Sequence, residues 1–274
     1  MPTRRSRLSI FLVIVVVALG ALFGVRTLWR TAQHHFSDPH CSFAQYDIDT
    51  EQAAVAATMV GAVAKYHPAS PFRAAVLALA AGLQESKLRN LAPGEGDRDS
   101  VGVLQQRPSQ GWGGHDPATL TDVTEATREF LAALVKVKHW QSLPLAEAIQ
   151  DVQISADGSA YAKHEDEASA LATALQGRTA AAITCTFDKP TVVASSSTVV
   201  SQLVHQLPVQ QPAVSARTIR VSGASWQTAA WFVANADRLG IESVSYSGRR
   251  WSRSDGWKKM TSSTSAVVAT MATL

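Results

Sequence analysis

Residues 71–106 read PFRAAVLALAAGLQESKLRNLAPGEGDRDSVGVLQQ, and this stretch decides the fold of the central part of the chain. Ser70 and Pro71 make a helix start, a hydroxyl cap ahead of a proline whose preset φ and missing N–H suit the first turn. From residue 72 to about 86 the run Ala74, Ala75, Val76, Leu77, Ala78, Leu79, Ala80, Ala81, Leu83 leaves no polar stripe. A helix that is apolar on nearly every side is a buried helix. Gln84, Glu85 and Ser86 close it, and a glycine-rich stretch over 90–114 reads as loop and turn. Glu85 therefore stands at the C-terminal end of a buried helix. An apolar surround disfavours its ionised form, and so does the negative end of the helix dipole. Both raise its pKa, as a general acid working near neutral pH requires. Position alone also fits a helix that simply ends in water.

Working outward, Asp49 or Thr50 caps an alanine-rich helix running to about Lys65, with Gln52 placed to bond back and Pro68 as its stop. Downstream, one helix is expected over about 121–137, with Val123, Ala126, Phe130, Leu131 and Leu134 on one face. A second follows Pro144 to about Gln153, and a third covers about 159–176, stopped by Gly177. Residues 189–212 change composition to Ser, Thr, Gln, Pro and Val and read as a linker, with a short helix around 199–207 left open. Beyond it, 218–221 is strand-like, Ser225 caps a helix that ends before Gly240, 241–246 alternates as a strand, and Ser247-Gly248 turns into a strand through Trp251. That is a small β-α-β-β unit.

Residues 8–25 are almost unbroken hydrocarbon, preceded by Arg4, Arg5 and Arg7 and followed by Arg26 and Arg30. About 18 residues at about 1.5 Å each approach the thickness of a bilayer core. Residues 1–30 thus read as a signal anchor, with a cleaved signal peptide as the alternative. Either puts the rest of the chain outside the cytoplasm, single-pass at the cell membrane or secreted, if the basic end stays inside. Residues 31–48 read as a stalk. The two cysteines, Cys41 and Cys185, suit an oxidising compartment and are expected to be bridged around one folded unit. No metal site or cofactor is expected, because His34, His35 and His40 beside Cys41 lack a second ligand cluster. The formal charge of +3 does not suggest nucleic acid.

Two short motifs flank the loop: Glu85-Ser86 at the helix end, and Gly102-Val103-Leu104-Gln105. In this spacing the chain resembles the soluble lytic transglycosylase and goose-type lysozyme superfamily over roughly residues 50–180. The run from Gly82 through Gln106 to Trp112 also resembles exported actinobacterial proteins with a lysozyme-like fold. The resemblance implies that Glu85 protonates the glycosidic oxygen between N-acetylmuramic acid and N-acetylglucosamine, then acts as base. The base step would take a proton from the muramoyl 6-hydroxyl, giving a 1,6-anhydro product, or from water. Inverting hydrolysis needs a second carboxylate roughly 6.5–9.5 Å away, for which Asp97 and Asp99 are the nearby candidates. The resemblance further implies that Ser86 meets substrate or orients Glu85, that Gly102 lets backbone approach sugar, and that Gln105 binds an N-acetyl or hydroxyl group. Trp112 and Tyr161 would stack on sugar faces or else serve packing. The loop between the motifs is longer than usual. The family's third motif, Ala-Tyr-Asn-Ala-Gly, is absent; the nearest segment is Val152-Gln153-Ile154-Ser155, with Gln153 in the asparagine's place.

The expected class is therefore α+β: an N-terminal transmembrane helix, a mainly helical lysozyme-like domain over 49–188, a linker, and a small basic α+β domain over 213–274. In that last unit Arg217, Arg220, Arg238, Arg249, Arg250, Arg253, Lys258 and Lys259 face only Asp237, Glu242 and Asp255, a net +5. Its expected partners are anionic wall polymers or an envelope protein. Peptidoglycan glycan strands are the expected substrate and residues 8–25 the membrane contact. The alternative function is a non-catalytic lysozyme-fold protein that binds cell wall or an envelope assembly partner.

Overall fold

A computed structural model describes residues 39–154 and 158–273. The apolar run 8–25, read as a membrane anchor or signal, lies outside the described residues. Among those described, no helix is long and apolar enough to cross a membrane.

The chain enters through β1 (His40–Phe43) and β2 (Tyr46–Asp49) and leads into helix α1 (Thr50–Tyr66). The cap is reciprocal: the Gln52 backbone N–H donates to the Asp49 carboxylate at 2.9 Å, and the Asp49 N–H donates to Gln52 Oε1 at 2.9 Å. A left-handed His67 ahead of Pro68 ends the helix. Helix α2 (Pro71–Ser86) follows, and every residue from Ala74 to Leu83 is buried. Pro71 opens it, but the Ser70 hydroxyl makes no capping bond. The short α3 (Pro117–Thr121) comes next, and α4 (Val123–Leu134), α5 (Leu145–Gln153), a 3-10 segment Gly158–His164 and α6 (Glu165–Leu175) pack around α2. Apolar faces on short amphipathic helices close over an all-apolar one, which is the arrangement that removes the most hydrocarbon from water.

Strand β3 (Ile183–Thr186) returns to β1, giving an antiparallel sheet of order β2-β1-β3. Cys41 faces Cys185 in that register and the two are bonded across 144 positions. Such a cross-link restrains the unfolded chain by on the order of 4–5 kcal/mol in the chain-entropy model. From His40 onward the expected stalk is thus a strand pair. Four-residue strands carry too little alternation to be read alone, and β3, which completes their sheet, is remote in sequence.

The stretch read as a linker contains α7 (Ser196–Gln206), whose Val199 and Leu203 are fully buried. It is tied to α1: Lys65 Nζ donates to the carbonyls of Val204 (3.0 Å) and His205 (2.9 Å), and Thr58 Oγ1 donates to Gln206 Oε1 at 3.0 Å. Next come β4 (Ala213–Ser215), β5 (Thr218–Val221), α8 (Trp226–Ala234), α9 (Ala236–Leu239), β6 (Ile241–Tyr246), β7 (Arg249–Ser252), β8 (Gly256–Lys259) and β9 (Val267–Met271). The β-α-β-β order expected from the sequence is present as β5, α8, β6 and β7. The sheet, however, has six antiparallel strands in the order β4-β5-β9-β6-β7-β8, with the last strand inserted between β5 and β6.

This sheet shares one core with the helices. Three indole N–H groups cross the seam: Trp251 to the Cys185 carbonyl (3.0 Å), Trp257 to the Ile183 carbonyl (2.8 Å) and Trp231 to Gln206 Oε1 (2.7 Å). Gly177 both stops α6 at φ 68° and allows close approach, since a Cβ there would meet the Gln227 nitrogen at 2.4 Å. The described residues accordingly fall in one compact unit. The basic excess is not all surface either. Arg253 is buried and donates to the carbonyls of Asp188, Ala236 and Ile241 and to the Asp237 carboxylate.

Candidate active site

The end of α2 sets the position of Glu85. Lys87 and Leu88 are both left-handed, at φ 56° and 58°, and the Leu88 N–H reaches back to the Gly82 carbonyl at 2.9 Å. This closes the last turn and buries Leu88 completely. The chain that leaves is anchored to the start of α1. Gln52 Nε2 donates to the Lys87 carbonyl at 2.8 Å, and Arg89 bridges Asp49 and Glu51. Glu85, in the last turn, stays half-buried with its carboxyl directed to a cleft of about 360 Å³.

Facing it is a tight turn in which Val101 and Gln106 bridge, Gly102 has φ 74° and Gln105 φ 47°. Val103 and Leu104 at its tip are fully buried and plug it into the core. Three helices hold it. Ser86 Oγ at the end of α2 donates to the Val103 carbonyl (2.8 Å) and lies 3.2 Å from the Gly82 carbonyl. Gln153 Nε2 at the end of α5 donates to the Leu104 carbonyl at 2.8 Å. Gln106 Nε2 donates to the Ala126 carbonyl of α4 at 3.3 Å.

The Tyr161 hydroxyl donates to Glu85 Oε1 at 2.5 Å, and the Gln153 side chain also hydrogen-bonds the carboxyl. Burial pushes the Glu85 pKa above the ordinary carboxylate range, while the bonds from Tyr161 and Gln153 pull it part of the way back. Beside it, His164 Nε2 lies 3.2 Å from Gln84 Oε1, and burial lowers the imidazole pKa.

Glu85, Gln105, Gln153, Trp112 and Asp97 all line this one cleft, together with Arg107 and Gln110. The other candidates are placed differently. Ser86 is occupied with holding the Gly102–Gln105 turn. Gly102 allows the backbone to approach protein, since a Cβ there would lie 2.2 Å from the Leu120 carbonyl oxygen. Tyr161 is 1% exposed, so it has no face to offer a sugar; it supports Glu85 instead. Asp99 accepts from Arg107 Nε at 2.7 Å and from the Ser109 N–H at 2.8 Å. The Ser109 and Arg107 bonds hold its carboxyl far below the usual range, so it braces the loop as a permanent anion.

Arg107 and Gln110 were not foreseen as cleft residues, because nothing in a glycine-rich loop marks which polar side chains turn inward. Nor did any local pattern pair Tyr161 with Glu85, which is 76 positions away. Among the described residues, no three His, Cys, Asp or Glu side chains gather as a metal site. What the arrangement can do is favour the protonated form of a carboxylic acid beside an open, amide-lined cleft, from which it could pass a proton to a ligand. No protein-family model matches this chain and no curated protein matches it.

Proposed function

We propose that the protein cleaves the glycosidic bond between N-acetylmuramic acid and N-acetylglucosamine in peptidoglycan, outside the cytoplasm, with Glu85 as acid and base on a lysozyme-like scaffold. One observation carries the reading. A half-buried carboxyl with a raised pKa, supported by the neutral donors Tyr161 and Gln153, opens onto the cleft that also holds Gln105. An environment that disfavours the ionised form suits a general acid; a surface carboxylate lacks it.

Glu85 protonates the bridging oxygen as the C–O bond to the muramoyl anomeric carbon breaks, leaving an oxocarbenium-like sugar. The ionised Glu85 then accepts the proton of the muramoyl 6-hydroxyl as that oxygen bonds to the anomeric carbon. The products are a 1,6-anhydro end and a free N-acetylglucosamine hydroxyl, and Glu85 is protonated again. This route needs a single carboxyl group. With water as the nucleophile, Asp97 is the cleft carboxylate left to activate it, since Asp99 is held by Arg107 and Ser109. Gln105 and Gln153 supply amide contacts to N-acetyl groups. The run 8–25 tethers the chain to the membrane, and the exposed Arg220, Arg250, Lys258 and Lys259 contact anionic wall polymers or an envelope protein.

The test is mass spectrometry of muropeptides released from purified sacculi by the full-length protein and by Glu85→Gln. Products one water lighter at the muramoyl end, absent with Glu85→Gln, are expected. Reducing-end products would make the enzyme a hydrolase. No release, with the protein retained on sacculi, would replace the enzyme by a non-catalytic wall-binding protein.

A further inference from the structure

A second cleft, of about 610 Å³, lies between α1, the α3–α4 junction, α7 and α9. It is larger than the one beside Glu85 and shares no lining residue with it. Its polar groups include a guanidinium and two carboxylates, over a floor of Ala54, Val55 and Val123.

The guanidinium is Arg238. Its Nε donates to Asn235 Oδ1 at 2.7 Å and its Nη1 to Gln202 Oε1 at 2.5 Å, both neutral amides. Among the described residues no carboxylate lies within ion-pair distance of it. Part of the side chain reaches solvent, yet the surrounding protein pulls its pKa down to about 10. Of the five N–H donors of an arginine, three stay open for a planar, bidentate acceptor. Asp237, next to Arg238 in the chain, pairs with Arg253 instead; Arg238 carries its charge into the cleft without such a match.

The carboxylates are Glu51 and Asp122. Glu51 is paired with Arg89, and Asp122 Oδ2 lies 3.0 Å from Nε2 of His205, itself a lining residue. Their presence decides among anions. A phosphate dianion or a polyanion at Arg238 would share the cleft with both of them, whereas a ligand with one carboxylate and one ammonium group meets complementary charge on each side. The volume falls in the range of small-ligand sites and suits a few amino-acid residues.

We propose that this cleft binds a short peptide carrying a free carboxylate and a free amine, the carboxylate on Arg238 and the ammonium between Glu51 and Asp122. The amides of Gln202 and Gln206 flank the peptide backbone. The inference does not depend on Glu85 being catalytic.

The test is isothermal titration calorimetry of the full-length protein with the tripeptide Ala-Lys-Ala bearing free termini. Saturable binding is expected, weakened at least tenfold by amidating the peptide carboxylate and at least tenfold by Arg238→Gln, with no further loss when the two changes are combined. Glu85→Gln should leave it unchanged, which separates this site from the catalytic reading. The proposal is overturned if the amidated peptide binds equally, if inorganic phosphate binds as tightly as the peptide, if Glu85→Gln abolishes binding, or if no saturable binding occurs. The amidated-peptide comparison uses the unaltered protein, so it holds even should Arg238→Gln fail to fold.

Discussion

Two carboxylates 14 positions apart in sequence, Glu85 and Asp99, sit in opposite worlds. Glu85 ends an apolar helix, touches only neutral donors, and burial drives its pKa up. Asp99 lies in the polar loop, is met by the Arg107 guanidinium and the Ser109 N–H, and is held far down. In the proposed reaction the difference separates chemistry from scaffolding. An acid must be kept from ionising, so it needs hydrocarbon around it and no cation nearby. A loop brace must be ionised at every working pH, so it needs a cation and backbone donors.

The strongest way to break this comparison is Glu85→Gln. It should cut turnover by about 10²- to 10⁴-fold, the usual contribution of a general acid, measured as muropeptide release. Asp99→Asn, by contrast, should retain most activity. An equal loss in the two variants would remove the distinction between them.

Tyr161→Phe comes next. The phenol's bond lowers the Glu85 pKa, so its removal should raise that pKa further. The alkaline limb of kcat/KM against pH should move to higher pH, and the rate should fall about 10- to 100-fold for one lost bond to a charged form. A rate loss with an unmoved limb would mean that Tyr161 only packs.

Smaller effects concern stability. Glu85 has a folded pKa above its unfolded value, so its contribution is intact below the unfolded value of about 4 and is lost as pH rises through the folded pKa. Glu85→Gln lacks that loss. Its melting temperature should match wild type near pH 3 and exceed it increasingly above about pH 4. Asp99 runs the other way. Its folded pKa is depressed, so its stabilisation is present above the unfolded value and lost as pH falls through the folded one. Asp99→Asn should lower the melting temperature slightly at pH 7, and this smallest difference should fade in acid. Calorimetric scans across pH check both signs.

Much of the helical scaffold was legible because its signals are local. The Asp49–Gln52 box, the apolar run ending at Glu85, the Ser225 cap and the Ser247-Gly248 turn each occupy a few neighbouring positions. The sheet β2-β1-β3 was not legible: its strands are four residues long, and β3 pairs with β1 from the far side of the helices α1 to α6. Strand β9 escaped for a related reason. It is a short run near the chain end whose place between β5 and β6 is set by pairing partners far upstream. The helix α7 was obscured by its Ser/Thr-rich start, where Ser195 turned out to be an N-cap accepting from the Thr198 N–H.

The candidate site divides along the same line. The sequence by itself determined that an acid stands at the end of a buried helix, that a Gly102–Gln105 turn follows, and that two cysteines bracket the region, because composition and periodicity act between near neighbours. Only the tertiary structure decided which side chains meet that acid. Tyr161 became its hydrogen-bond donor rather than a sugar platform. Gln153 came to join it to the turn, Ser86 became a tether, and Asp99 became a brace. It also decided that the tryptophan-rich end shares the core instead of hanging from a linker. These outcomes depend on distances between residues far apart in the chain, and such distances are fixed by the packing of whole elements rather than by any local preference.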